Sequence, residues 1–109
     1  MLVNSPTDAF LLFALGQELR NSGEATEALQ TWEKLVAAHP AYHGVYYQLG
    51  SLLQELGQHD RVEATYKAGM NTAKAAGDQQ AISENQNALT SYKNERAALA
   101  EAAAASEEE

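Results

Sequence analysis

Apolar side chains recur along this chain at the three- and four-residue spacing of amphipathic helices. Ala9, Leu12, Leu15 and Leu19 form one stripe, and Ala25, Ala28, Leu29, Trp32, Leu35 and Val36 form a second. Ser22-Gly23-Glu24 lies between them, where a glycine ends a helix in the left-handed conformation without a Cβ penalty. The pattern predicts helix one to about Asn21, helix two over roughly 25–38, helix three over roughly 42–55 and helix four over roughly 59–76. Helix one starts at Ser5-Pro6-Thr7-Asp8, with a hydroxyl cap and an acid near the positive end of the helix dipole. Helix two stops at His39-Pro40, because the residue before a proline is pushed out of helical geometry. Gly77-Asp78 combines a helix stop with a helix cap and opens a fifth segment that runs to about Leu99.

The first two helices then come round again. Leu15, Gly16, Leu19, Gly23 and Trp32 return as Leu49, Gly50, Leu53, Gly57 and Tyr66, always 34 residues on (49 − 15, 50 − 16, 53 − 19, 57 − 23 and 66 − 32). A fixed period in this range means stacked repeats, each an antiparallel helical hairpin. Gly16 and Gly50 fall inside helices, where glycine costs about 1 kcal/mol against alanine, so close approach of the partner helix is the expected compensation. Trp32 and Tyr66, each sixteen residues after its glycine (32 − 16 and 66 − 50), are the rings expected to fill those notches. The fifth segment leaves the register, with Ser83-Glu84 where Leu-Gly would fall. Its apolar stripe, Ile82, Ala88, Leu89, Tyr92 and Leu99, and its polar back are the profile of a helix that caps a repeat stack. From Ala97 to Glu109 helix propensity is high but there is almost nothing to bury, and a frayed tail is expected. The predicted fold class is all-α: an α-α superhelix, or solenoid, of two hairpins with a capping fifth helix. The domain would occupy residues 1–96 (repeat one 6–39, repeat two 40–76, cap 78–96), followed by the tail 97–109.

Residues 6 to 74 resemble two tetratricopeptide (TPR) repeats. The residues that carry the resemblance are Leu12, Leu15-Gly16, Leu19, Gly23, Ala28, Trp32 and Pro40, then Tyr46, Leu49-Gly50, Leu53, Gly57, Val62 and Tyr66. The second unit departs at Val62, where a small alanine is usual, and at Lys74, where a proline should stand; Ala25 and His59 replace an aromatic. The resemblance implies a non-enzymatic protein-interaction module whose first helices line a concave groove for a partner's peptide or helix. Carried over by position, that groove face would comprise Phe10, Phe13, Gln17, Arg20 and Asn21 from helix one. From the second unit it would take Tyr42, Tyr47, Gln48, Ser51, Gln54 and Glu55. Residues 10, 13, 17 and 20 share a helical face independently of any family, and rings with amides suit an extended polypeptide. Two readings of Phe10 and Phe13 stay open: groove contacts, or rings buried against the N-terminal segment or a neighbour. The lysine, arginine and asparagine set with which some family members clamp a terminal carboxylate is missing, since Phe13 and Gln17 stand at its helix-one positions. Arg20 is the remaining base, read as solvated or as a bidentate ligand for one acid.

At 109 residues there is room for one domain. Fifteen acids against seven bases give a net charge of −8, and the bases are scattered, so nucleic acid is not an expected partner. There is no cysteine, hence no disulfide framework and no thiolate metal site. His39 and His43 have the spacing of ligands on one helix turn, but Pro40 breaks the helix between them. No cofactor, metal or catalytic constellation is expected. The opening residues lack the charged start of a secretory signal, and the apolar run Ala9–Leu15 is too short to span a bilayer, so a cytoplasmic location off the membrane is the default. That same run has no polar face, and a helix apolar all round needs cover. Its isologous pairing in a homodimer is the second functional reading. A third, a fragment of a longer array, is disfavoured by the starting Met and the terminal cap.

Overall fold

The computed structural model describes residues 8–107. Five helices follow one another: α1 (Ala9–Asn21), α2 (Ala25–Ala38), α3 (Gly44–Glu55), α4 (Val62–Ala76, entered through a 3-10 turn at His59–Arg61) and α5 (Gln79–Glu107). No strand occurs among the described residues, and the fold is all-α as its sequence period requires. Of the expected start of helix one, Ser5, Pro6 and Thr7 lie outside the described residues; Asp8 is the cap, its Oδ1 accepting from the Leu11 N–H at 3.1 Å.

The two hairpin turns are copies of each other. Gly23 and Gly57 take φ of 83° and 74°, open to glycine and costly to other residues. In each turn the next N–H reaches back over the glycine, Glu24 to the Leu19 carbonyl at 2.8 Å and Gln58 to that of Leu53 at 2.9 Å. Successive helices pack as antiparallel neighbours, α1 on α2, α3 on α4 and α4 on α5, with α2 also against α3 and α3 against α5. The result is two layers: α1, α3 and α5 side by side, and α2 and α4 behind them.

The notches are filled as the spacing requires. A Cβ built on Gly16 would collide with the Trp32 ring, and one on Gly50 would lie 2.5 Å from the Tyr66 Cε1. Trp32 and Tyr66 are 0 % and 1 % exposed, at the centre of a core with Leu35, Val45, Leu52, Leu53 and Val62. Trp32 also donates its Nε1–H to the Phe13 carbonyl at 3.2 Å, so the ring is held by a polar bond as well as by packing. A third notch was not expected from the sequence. Gly69 on α4 receives the Asn85 side chain from α5, which is 1 % exposed, donates to the Ala81 carbonyl at 2.8 Å and leaves its Oδ1 without a partner.

Several expectations are corrected. Helix three begins at Gly44, so Tyr42 stands in the connection before it, where Pro40 and the turn after it hold the chain out of helical geometry. Helix five does not stop near Leu99; α5 continues to Glu107 as one helix on alanine and glutamate propensity. Leu99 does not join the buried stripe and is 54 % exposed. The reason is length: α5 passes the start of α4 at Tyr92 and Lys93, where Tyr92 meets His59 and Lys93 meets Glu63, and residues 96–107 extend beyond it, exposed. Leu15 is 50 % exposed while its repeat-mate Leu49 is 4 % exposed. Leu49 has α2 beside it, whereas α1 ends the stack and its outer side has no neighbour among the described residues.

Candidate binding groove

The side-by-side layer of α1, α3 and α5 carries most of the residues that the family resemblance implied, in two distinct settings. Between α1 and α3, Phe13 is half-buried, its ring 6.1 Å from that of Trp32 at an interplanar angle of 24° and 5.7 Å from that of Tyr42 at 53°. It is therefore part core, part surface. Phe10 is 68 % exposed, and Gln17 and Asn21 on the same flank of α1 are open to water.

Arg20 is neither solvated nor waiting for an acid. Its guanidinium donates to the Gln48 carbonyl (3.4 Å) and Oε1 (3.2 Å), to the Ser51 Oγ (3.0 Å) and to the Glu55 carboxylate (2.5 Å). This fork ties α1 to α3 and uses the charge internally. Gln48 and Glu55 are thereby positioned as its acceptors.

Between α3 and α5 the surface deepens into a cleft of about 480 Å³. Tyr47, Ser51 and Gln54 line it from α3, with Tyr66 at its floor from α4. The opposite wall is α5, through Glu84, Asn87, Ala88, Ser91, Tyr92 and Glu95. Tyr66 donates its hydroxyl to the Gln54 Oε1 at 2.6 Å. Burial pushes its phenol up to about 12, with Tyr47 adding to the rise and the Arg20 charge opposing it. The Tyr47 and Tyr66 rings are 6.5 Å apart, tilted by 42°. Tyr92 closes the far corner, stacked at 5.8 Å on His59 and donating to the His59 carbonyl at 3.3 Å. His59 is exposed and its ring lies against Tyr92.

None of the α5 residues was among the expected site residues. Glu84, Ala88, Ser91 and Glu95 follow at intervals of four, three and four, a face beside the buried stripe of Asn85, Leu89 and Tyr92. The polar residues on that face read as a solvated back; they remain exposed, and the position of α5 beside α3 makes them one wall of an open cleft.

Other features lie away from this layer. On the reverse side a second cleft, about 490 Å³, runs between α2 and α4 over Val36, Tyr46, Leu49 and Ala68. The Arg61–Glu33 ion pair, at 2.6 Å, spans α4's entry turn and α2 beside it. Burial raises the Tyr46 phenol, whose hydroxyl donates to the Pro40 carbonyl at 2.6 Å. His43 pairs with Asp78 at 2.9 Å, and the Asp78 carboxyl is held below its ordinary value by the Ala81 N–H and then by His43. Among the described residues no group of three or more His, Cys, Asp or Glu could hold a metal ion, and no helix is long and apolar enough to cross a membrane.

Comparison with known proteins agrees with this architecture, although no family model matches the chain. A TPR repeat-containing protein of Pseudomonas aeruginosa is 30 % identical over 84 residues, which cover 77 % of this chain and 80 % of that protein. The crystal structure of a tetratricopeptide repeat domain protein from Salinibacter ruber superposes with a TM-score of 0.77 at 37 % identity, covering 80 % of this chain and 97 % of that one. Its solution NMR structure gives a TM-score of 0.78 at 36 % identity, over 84 % and 92 %. With two glycine-notched hairpins 34 residues apart, this fold and these relatives, the chain belongs to the tetratricopeptide repeat family, whose members are helical-repeat modules that generally engage other proteins.

Proposed function

We propose that the chain is a non-enzymatic module that holds a peptide or helix of a partner protein against the surface of α1, α3 and α5. The observation that carries this reading is the α3–α5 cleft, in which Tyr47, Ser51 and Gln54 stand side by side on a core-anchored helix. Tyr47 offers ring area, and Gln54, with its Oε1 taken by Tyr66, has its amide nitrogen left to donate to a backbone carbonyl. Because Arg20 braces α1 against α3, the surface is formed before the partner arrives, and binding costs little ordering entropy. Two repeats make a short groove, so micromolar affinity, about −8 kcal/mol, is expected.

Panning a display library of random linear peptides against the immobilised chain tests the reading. Selected peptides should bind in solution and lose on the order of tenfold in affinity with Tyr47→Ala and with Gln54→Ala, about 1.4 kcal/mol each. Peptides indifferent to both substitutions would contradict it.

A second reading has its own observation. Phe10, Leu11 and Leu15 are 68 %, 38 % and 50 % exposed at different points around α1, apolar area that an isologous pairing of two copies would cover in part. Light scattering distinguishes the two: a dimer that reverts to monomer with Phe10→Glu supports pairing, and a strict monomer at high micromolar concentration excludes it.

A further inference from the structure

We infer that the partner segment held in the α3–α5 cleft is basic, an extended stretch carrying two lysine or arginine side chains about five residues apart. The inference rests on the groove reading above and adds the chemistry of the occupant.

The cleft is charged on one wall only. Glu84 and Glu95 line it from α5, and no lysine, arginine or histidine lines it among the described residues. Arg20, whose charge is felt at Tyr66 on the cleft floor, is bound to Glu55 at 2.5 Å and also donates to Gln48 and Ser51. Lys93, also on α5, points to the other flank, where it meets Glu63 at 3.3 Å. Glu84 has one weak neighbour, the Gln80 amide at 3.4 Å. Two carboxylates therefore line a concave, partly aromatic surface whose lining holds no basic side chain, and a cation brought there gains both from them and from the exposed face of Tyr47.

Their separation sets the ligand's spacing. Eleven residues of helix at 1.5 Å each put Glu84 and Glu95 about 16 Å apart along α5. An extended polypeptide rises roughly 3.3 Å per residue, so about five residues span the same distance. Between the two charges, Asn87, Ser91 and Gln54 supply amide and hydroxyl partners for a backbone. A neutral or acidic segment would leave both carboxylates uncompensated at the rim.

Fluorescence anisotropy with labelled synthetic peptides decides the point. The probes are Ser/Gly decamers with two lysines five residues apart, the same with two glutamates, and the same with adjacent lysines. The spaced dilysine peptide should bind tightest, weaken as sodium chloride rises and lose at least tenfold in affinity with Glu84→Gln/Glu95→Gln. Glu24→Gln/Glu27→Gln, an equal change of charge at exposed positions away from the cleft, should leave it within twofold. Equal losses from the two double variants would mean attraction by overall charge alone and would overturn the inference. So would tighter binding of the diglutamate peptide, or indifference to lysine spacing. If library-selected peptides depend on Tyr47 and Gln54 but lack bases, the groove reading stands and the basic ligand falls; if neither holds, both fall.

Discussion

Gly16 gives up helix propensity so that the Trp32 ring can sit against its backbone, and the ring, 0 % exposed and bonded through Nε1 to the Phe13 carbonyl, then anchors both helices of the first hairpin. Trp32→Ala should lose about 3–5 kcal/mol in urea unfolding, much of the stability of a domain this size. Gly50→Leu would drive a side chain into Tyr66 and should cost about 1–3 kcal/mol by overpacking. Two titrations belong at the same scale. Tyr66, at about 12, should be the last phenol to ionise in a spectrophotometric titration, and the latest-ionising component should vanish in Tyr66→Phe. The Asp78 carboxyl is held below the ordinary aspartate value, so it stabilises the fold above that value and ceases to do so as pH falls through its lower folded value. Urea midpoints should therefore decline less steeply below about pH 4 in Asp78→Asn than in the wild type.

Among the elements, the helices and the notches of the repeats could be read from period and glycine placement, because each depends on contacts within one hairpin. The features that escaped the sequence depend on neighbours. Leu15 and Leu49 occupy the same repeat position, yet one faces water and the other α2, since only the second unit has a predecessor. Asn85 is polar in sequence and buried in structure because Gly69, on a different helix, makes room for it. The α5 wall of the cleft was hidden for the same reason: Glu84, Ser91 and Glu95 look like a solvated face until α3 is placed beside them. Arg20, implied as a groove residue, has its guanidinium bonded within the fold to Glu55, Gln48 and Ser51, partners that spacing along one helix does not reveal. The far end of α5 is the clearest case of an element without a packing role. Residues 93–107 are all exposed, so removing residues 97–109 should lower far-ultraviolet helicity while changing the free energy of unfolding by less than about 0.5 kcal/mol.

At the scale of the whole molecule, the described residues form a short stack of two hairpins and a long fifth helix. Its extents of 67 × 32 × 19 Å reflect the overhanging α5 more than the hairpins. A net charge of −8 keeps like copies apart at long range, while the exposed apolar residues of α1 offer contact at short range. The layer of α1, α3 and α5 combines a braced backbone, a lined cleft and open hydrogen-bonding groups, in a family of helical-repeat modules that generally engage other proteins, and the proposed partner site is placed there on that basis. A ¹H–¹⁵N NMR titration with a library-selected peptide locates the working face directly. The account predicts that the shifted amides cluster between Tyr47 and Glu55 on α3 and between Glu84 and Glu95 on α5. Shifts confined to the α2–α4 side, around Val36 and Ala68, or to the outer side of α1, would contradict it.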